Sequence, residues 1–284
     1  MNLWYKNAII YGLDVKTFQD SNGDGIGDFR GLTKRLSYLS ELGINTLWLL
    51  PFYPSPNRDN GYDVSDFYNI NPELGTLDDF QTFVQEAHRL KIRIVIDLVV
   101  HHTSTEHPWF KAARSDEKSP YRDYYIWSKK HPKILNRRNS FPGKETDIWH
   151  YDDMAKAWYF HRFYHFQPDL NFNNPEVQEE VIRIMNFWLA LGIDGFRIDA
   201  AGLLFEYKGL PHSKHKTPWI LLKKMNTLVS GRGKDGILLG EADTPPEYMK
   251  TFFGEGDRIH MLLNFLMNQS IFAALAAENS EPIE

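Results

Sequence analysis

The sequence predicts an α/β fold in which about six βα units build a parallel sheet, with a subdomain inserted after the third strand. Short apolar runs alternate with segments of helical spacing along most of the chain, and the stretch from 102 to 174 breaks this alternation. A chain of 284 residues can hold one large domain with such an insertion. We therefore divide it into units 1–3 at residues 1–101, the inserted subdomain at 102–174 and units 4–6 at 175–284.

Each predicted strand is a short apolar run bounded by turn residues. The six runs are Ala8–Leu13, Ile44–Leu50, Ile92–Val100, Ile193–Ile198, Gly236–Gly240 and Ile259–Phe265. Apolar residues at helical spacing predict the helices Leu32–Leu42, Asp78–Leu90, Pro175–Leu191, Thr217–Val229 and Met267–Ala277. The inserted stretch contains several prolines and many aromatic residues, and it is too long for an ordinary βα loop.

The composition excludes several classes of function. The absence of cysteine excludes disulfides, thiolate metal sites and thiol catalysis. A net charge of −5 with no basic block gives no electrostatic basis for binding nucleic acid or an anionic membrane. No signal-peptide pattern and no long apolar window occur, so we expect a cytoplasmic protein. Aromatic residues at 14% fit either a large aromatic core or stacking on sugar rings.

A loop near the N-terminus has the spacing of a calcium-binding loop. Its oxygen ligands would be the side chains of Asp20, Asn22, Asp24 and Asp28 and the carbonyl of Ile26. Position twelve is Gly31 rather than Glu, so the loop is not a complete EF-hand. The alternative is a turn that caps the following helix. The spacing favours a structural Ca²⁺ or Mg²⁺ ion.

Two carboxylates follow neighbouring predicted strands at their C-terminal ends. Arg197 and Asp199 alternate onto one face of a strand, where the arginine would keep the aspartate ionised and able to act as a nucleophile. Glu241 ends the next strand, so it would lie beside Asp199 as a candidate acid/base. Taken alone, Arg197 with Asp199 fits a structural ion pair equally well, and a lone Glu is usually solvated.

Three further motifs stand at loop positions that suit a binding site. They are Asp97–Thr103 after the third strand, Asn60–Asp63 after the second, and Gln167–Asn171 where the insertion ends. Tyr62 and Asp63 would supply a ring to stack on a sugar and a carboxylate to hold its hydroxyls.

These motifs, in this order along the chain, resemble the α-amylase family of glycoside hydrolases. The resemblance implies an incomplete TIM (β/α)₈ barrel and a retaining double displacement on α-glucosides, with the catalytic carboxyl groups roughly 5–5.5 Å apart. It is closest to members that isomerise maltose to trehalose by α-glucosyl transfer. Hydrolysis of α-glucosides and a non-catalytic carbohydrate-binding role are the alternatives.

The resemblance also implies roles for individual residues. Asp199 would be the nucleophile, Glu241 the acid/base and Arg197 the group that orients Asp199. Tyr62, Asp63 and His102 would bind the transferred glucosyl ring of a small saccharide such as maltose. The aromatic side chains Trp127, Trp149, Trp158, Tyr159 and Phe160 would form a lid that excludes water.

The chain departs from the family pattern at two points. His101 stands where family members have a calcium-ligating Asn, and an imidazole is a poorer calcium ligand, so no second metal site is implied. No His-Asp pair follows Glu241, so the third catalytic aspartate of the family is missing. Six strands cannot close an eight-stranded barrel, and we therefore expect weak or no activity from the isolated chain.

Overall fold

The computed structural model describes residues 3–132, 140–204, 219–231 and 235–283. Its strands in chain order are β1 Ile10–Leu13, β2 Thr46–Leu49, β3 Arg93–Leu98, β4 Trp127–Ser128, β5 Trp149–Asp152, β6 Ala157–Phe160, β7 Gly195–Ile198, β8 Ile237–Gly240 and β9 Met261–Leu262. Its α-helices are α1 Phe29–Glu41, α2 Leu77–Arg89, α3 Pro108–Ser115, α4 Pro175–Ala190, α5 Trp219–Ser230, α6 Pro246–Phe253 and α7 Phe265–Ala277.

The main sheet has six strands in the order β1-β2-β3-β7-β8-β9, and every neighbouring pair is parallel. A helix connects each pair of consecutive strands of this sheet, as parallel strands require. Within the described residues, β1 and β9 each pair on one side only, so the sheet is open at both edges.

Local capping explains where the first helices begin. The Asp28 side chain accepts a hydrogen bond from the Gly31 amide, which starts α1 three residues before the predicted Leu32. Thr76 and Asp79 form a reciprocal capping box at the start of α2. Each cap satisfies backbone N–H groups that have no partner inside the helix.

The structure differs from the predicted elements mainly near the C-terminus. The predicted strand Ile259–Phe265 is a strand only at β9, because the side chain of Asn264 accepts from the Met267 amide and starts α7 at Phe265. Helices α3 and α6 were not predicted from the sequence, and both are only eight residues long. Thr217 and Pro218, at the start of a predicted helix, lie outside the described residues.

An aromatic cluster fills the space between the sheet and the helices that cover it. The Trp188 ring lies 5.3 Å from the rings of Phe52 and Phe80, in edge-on contact with both. Phe29 contacts the same two rings at 5.4 and 5.3 Å. All four side chains are fully buried, and the Trp188 indole N–H donates to the Phe67 carbonyl at 2.8 Å. Much of the aromatic content is therefore core.

The segment between β3 and α4 has its own small sheet. Strands β4, β6 and β5 pair antiparallel in that order, and α3 precedes them. Backbone contacts tie the end of this segment to the end of β3: the Thr103 N–H donates to the Pro168 carbonyl at 3.1 Å, and the Leu170 N–H to the His101 carbonyl at 2.9 Å. The end of the insertion is therefore bonded to the chain that directly follows the main-sheet strand β3.

Candidate active site

Three carboxylates from neighbouring strands meet at one guanidinium group. Asp97 of β3 lies opposite Arg197 of β7 in the strand register, and Asp199 and Glu241 follow β7 and β8 directly. The strands are parallel, so these positions lie at one end of the sheet. Arg197 Nη1 is 2.5 Å from Asp97 Oδ1 and 2.7 Å from Asp199 Oδ1, and its Nη2 is 2.9 Å from Glu241 Oε2.

These three carboxylates differ in their access to solvent. The Asp97 side chain is fully buried, that of Asp199 is 9% exposed and that of Glu241 is 31% exposed. Asp97 is therefore a structural partner of Arg197, while Glu241 faces the open side of the cluster. The sequence analysis singles out the motif Asp97–Thr103, but it predicts no role for Asp97 itself. Its register position opposite Arg197 depends on which strands are neighbours.

Two aromatic residues form a wall beside the guanidinium. The Arg197 side chain lies over Trp48 at 5.1 Å and over Tyr62 at 5.9 Å from the ring centres. The Trp48 indole N–H and the Tyr62 hydroxyl both donate to Asp97 Oδ2, at 3.1 and 3.3 Å. The structure thus brings Tyr62 to the cluster. Trp48, on the strand β2, was not identified from the sequence.

Burial raises the pKa of two carboxyl groups in the cluster. It raises the pKa of Asp97 to about 6, although Arg197 acts in the opposite direction. Burial also raises the pKa of Asp199 well above its usual range, again against the effect of Arg197. The effect that the sequence predicts, in which Arg197 keeps Asp199 ionised, is thus opposed by burial, because one guanidinium faces three carboxylates in a desolvated place.

Backbone geometry orients Glu241. The Ala200 N–H donates to Glu241 Oε2 at 2.9 Å, and the Glu241 N–H donates to the Ile198 carbonyl at 3.1 Å. Ala200 has a φ of 47°, in the left-handed region that a residue with a Cβ adopts only at a cost. This turn directly after Asp199 aims the amide at the neighbouring carboxylate.

Asp63 and His102 are buried and already bonded to the protein. The Asp63 carboxylate accepts from the Ser55 hydroxyl at 2.8 Å and from the backbone N–H groups of Arg58 and Asp59 at 3.0 and 3.1 Å. His102 Nε2 lies 3.0 Å from the Tyr62 carbonyl oxygen. Both side chains hold the loop that carries Tyr62, a contact that the sequence does not reveal.

The carboxylates of the predicted metal loop accept hydrogen bonds from the loop's own backbone N–H groups. Asp20 accepts from the N–H groups of Asn22, Gly23 and Gly25, and these bonds lower its pKa. The Asp24 carboxylate accepts from the Ile26 N–H at 2.8 Å. Within the described ranges, no group of three or more His, Cys, Asp or Glu residues is arranged to hold a metal ion.

Asp28 is bonded to backbone N–H groups both of the loop and of the helix that follows it. Its two carboxylate oxygens accept from the Gly31 and Ser21 amides, and its side chain caps α1. The capping alternative raised by the sequence is thus realised for this residue. The loop still carries hard oxygen donors on Asp20, Asn22 and Asp24, which fit Ca²⁺ or Mg²⁺ in chemistry.

The aromatic side chains expected to form a lid pack inside the insertion instead. Trp149, Tyr159 and Phe160 are buried. The Trp127 ring has Phe110 stacked 5.6 Å away, and the Arg122 guanidinium lies 3.9 Å from its centre. Trp158 is half-buried and contacts His131 and Tyr151. These contacts occupy ring faces that a lid would present to a sugar.

The sequence that builds this site matches the model of a known family. The model of the α-amylase catalytic domain matches residues 13–282. The chain belongs to the α-amylase family.

In the part of the chain that the structure describes, no helix is long and apolar enough to cross a membrane.

Three similar proteins illustrate this membership. Trehalose synthase of Thermus thermophilus is 47% identical over 283 residues, covering 99% of this chain and 29% of that protein. Oligo-1,6-glucosidase of Parageobacillus thermoglucosidasius is 47% identical over 211 residues, covering 74% of this chain and 37% of that protein. A mutant of the trehalulose synthase MutB, solved with its substrate sucrose, is 33% identical with a TM-score of 0.82 and 94% of this chain covered.

The structural likeness confirms the predicted fold class. This chain covers 50% of the MutB chain, and it spans half or less of the length of the three proteins described. Its six parallel strands form a curled half-barrel with helices, which is an incomplete TIM barrel with an insertion after β3.

Proposed function

We propose that the chain carries the site of an enzyme that acts on α-glucosides by a retaining double displacement. The observation that carries the proposal is the contact of the Arg197 guanidinium with both Asp199 and Glu241, which holds two carboxyl groups beside one another at adjacent strand ends. Two such carboxyl groups are what a retaining glycosidase needs. The domain boundaries at residues 1–101, 102–174 and 175–284 are part of this proposal.

The two carboxyl groups have different tasks in the proposed reaction. The Asp199 carboxylate attacks the anomeric carbon, while Glu241 donates its proton to the glycosidic oxygen and the leaving sugar departs. In the second step Glu241 accepts a proton from an incoming hydroxyl, which attacks the anomeric carbon and releases Asp199. The contact with Arg197 favours the ionised form of Asp199, and the greater exposure of Glu241 leaves it open to the leaving oxygen.

The remaining predicted site residues hold the glucosyl ring or the loop beside it. Tyr62 is half-buried and its ring borders Arg197, so it is placed to contact a sugar in this site. Asp63 and His102 act partly through the loop that carries Tyr62, because their polar atoms bind its backbone or its neighbours. Arg197 orients both catalytic carboxyl groups.

Maltose is the proposed substrate and trehalose the proposed product. The support is the 47% identity to the Thermus thermophilus trehalose synthase over nearly the whole of this chain. The second candidate is hydrolysis, which the likeness to the oligo-1,6-glucosidase favours over a shorter stretch. The two differ only in whether glucose or water attacks the glucosyl-enzyme.

The first test is to incubate the purified chain with maltose and to separate trehalose, maltose and glucose by chromatography. Asp199→Asn is the control, because it keeps the size of the side chain and removes the nucleophile. Trehalose formed by the unmodified chain alone supports glucosyl transfer, and glucose alone supports hydrolysis. If the folded chain forms neither product, it does not carry the activity by itself.

We also propose that the Asp20–Asp28 loop binds Ca²⁺ or Mg²⁺ through Asp20, Asn22, Asp24, Asp28 and the Ile26 carbonyl. The ion would stabilise the loop and α1 without taking part in the chemistry. Calorimetric titration with each ion should give one binding event, and the ion should raise the Tm. Asp24→Ala should abolish both effects, whereas Asp78→Ala, on the exposed start of α2, should leave them intact.

A further inference from the structure

A histidine side chain takes part in the hydrogen bonding between the last two strands of the main sheet. The His260 backbone N–H donates to the Leu238 carbonyl at 3.0 Å, and the Leu238 N–H donates to His260 Nδ1, also at 3.0 Å. His260 lies one residue before β9, and Leu238 is a fully buried residue of β8. The backbone and the side chain of His260 therefore satisfy both backbone polar groups of Leu238.

The His260 imidazole stands where a backbone carbonyl would otherwise accept. In a regular parallel ladder, the residue whose carbonyl accepts from His260 would donate to the carbonyl two positions earlier, which is that of Arg258. The Arg258 carbonyl instead accepts from the side chain of Asn226, on α5, at 2.6 Å. The chain thus enters β9 with this carbonyl turned towards α5, and the Leu238 N–H is paired with His260 Nδ1 in its place.

The bond from Leu238 fixes the protonation state of His260. A backbone N–H can only donate, so Nδ1 presents its lone pair and the hydrogen of the neutral ring lies on Nε2. The Asn226 Nδ2 atom is 3.5 Å from Nε2, too far to compete with the 3.0 Å backbone bond for the lone pair of the ring. A protonated imidazole carries hydrogen on both nitrogens. It would therefore set an N–H against the N–H of Leu238 and leave a buried donor without an acceptor.

Burial also favours the neutral ring of His260. It lowers the pKa of the imidazole below the ordinary 6.5, and the Tyr5 ring packs edge-on against it with the ring centres 5.7 Å apart. The Arg258 guanidinium lies over the Trp219 ring, 4.7 Å from its centre. Asp235 is exposed, so solvent screens its charge. The titratable or polar side chains that border the imidazole or share its cavity of about 90 Å³ are those of Tyr5, Asn226, Ser230 and Asp235.

We propose that His260 is a pH-sensitive contact that holds β9 and α7 to the sheet at neutral pH and releases them in acid. β9 has only two residues, and α7, which lies wholly within the described ranges, buries only Ala274. The attachment of this segment therefore relies on its bonds to the edge of β8. In acid the edge opens more readily, because the released imidazole binds a proton that the closed contact excludes. The inference does not depend on the proposed function.

The test is hydrogen exchange of the Leu238 amide, followed by NMR at about pH 7.5 and about pH 5.5, on either side of the ordinary histidine pKa. The contribution of His260 to closing the edge is fully present above pH 6.5 and is lost as the pH falls towards the lowered pKa of the closed state. Protection of the Leu238 amide, corrected for intrinsic exchange, should therefore fall by up to about tenfold between the two conditions. Equal protection would overturn the proposal, and so would a ¹⁵N spectrum that places the hydrogen of the neutral ring on Nδ1. These measurements on the unmodified chain decide the question even if a variant does not fold.

Variants separate the acceptor from the ring. His260→Asn places an amide oxygen where Nδ1 stands and cannot be protonated, so the Leu238 amide should stay protected at both pH values. His260→Phe keeps a ring without an acceptor, so protection should be low at both. His88→Gln is the matched control, because His88 contacts Asp194 at 2.7 Å just before β7, and it should leave the pH dependence intact. A fall in protection that persists in His260→Asn would refute His260 as the group that titrates.

Discussion

Arg197 Nη2 lies 2.9 Å from Glu241 Oε2, which joins the ends of the neighbouring strands β7 and β8. The same guanidinium reaches Asp97 on β3. One side chain therefore links three consecutive strands of the sheet at the end where the proposed reaction takes place. Loss of Arg197 would leave all three carboxylates without this cation.

Replacing Arg197 with methionine should destabilise the fold strongly. The change keeps much of the side-chain length but leaves the buried Asp97 carboxylate unpaired, and breaking a buried pair costs about 3–5 kcal/mol. Denaturant unfolding measures the free energy. Arg89→Met is the control, because the exposed Arg89–Glu86 pair contributes less than about 1 kcal/mol. Equal effects of the two changes would show that Arg197 is not the centre of a buried network.

The raised pKa of Asp97 should make stability depend on pH. In the folded chain this pKa is about 6, above the ordinary 3.8, so the folded state binds the proton more tightly than the unfolded state. The contribution of Asp97 protonation to the free energy of unfolding is fully present below pH 3.8. It is lost as the pH rises through 6. The free energy of unfolding of the unmodified chain, relative to Asp97→Asn, should fall by up to about 3 kcal/mol over that range. A difference independent of pH would contradict the shift.

Glu241→Gln should reduce glucosyl transfer from maltose by about 10²- to 10⁴-fold, because the leaving oxygen is no longer protonated. An α-glucosyl fluoride needs no acid to leave, so release of fluoride in the first step should be much less affected. Rates measured on both substrates separate the acid role from a loss of folding. Glu247→Gln, on the exposed surface of α6, should change neither rate. An equal loss on both substrates would argue against the acid role.

Ala200→Gly should be neutral or slightly stabilising. Glycine adopts a φ of 47° without the steric cost that alanine bears, and this relief offsets the greater freedom of the unfolded chain. Ala201, the next residue, is buried and has no positive φ, so Ala201→Gly should cost about 1 kcal/mol. Thermal unfolding of the two variants makes the comparison. A larger loss at position 200 than at 201 would show that the strain assigned to Ala200 is absent.

Regular local patterns allowed much of the fold to be predicted. The alternation of strands and helices predicted the parallel sheet. Apolar residues recur with a period of 2 in strands and 3.6 in helices, and both periods can be recognised within a short stretch of sequence. The positions of Arg197, Asp199 and Glu241 at strand ends followed from the same pattern. The short helices α3 and α6 were not predicted because two turns carry too little periodicity. The last strand was predicted too long because the Asn264 cap starts α7 directly after it.

What the sequence determined by itself was the order of the βα units, the insertion after β3 and the residues placed at the strand ends. The tertiary structure decided what those residues touch. The pairing of Asp97 with Arg197, the burial of Asp63 and the packing of Trp127 in the insertion all depend on contacts that no local pattern specifies. Periodicity determines which face of an element a side chain takes, whereas its bonding partners and its desolvation arise only when distant segments pack together.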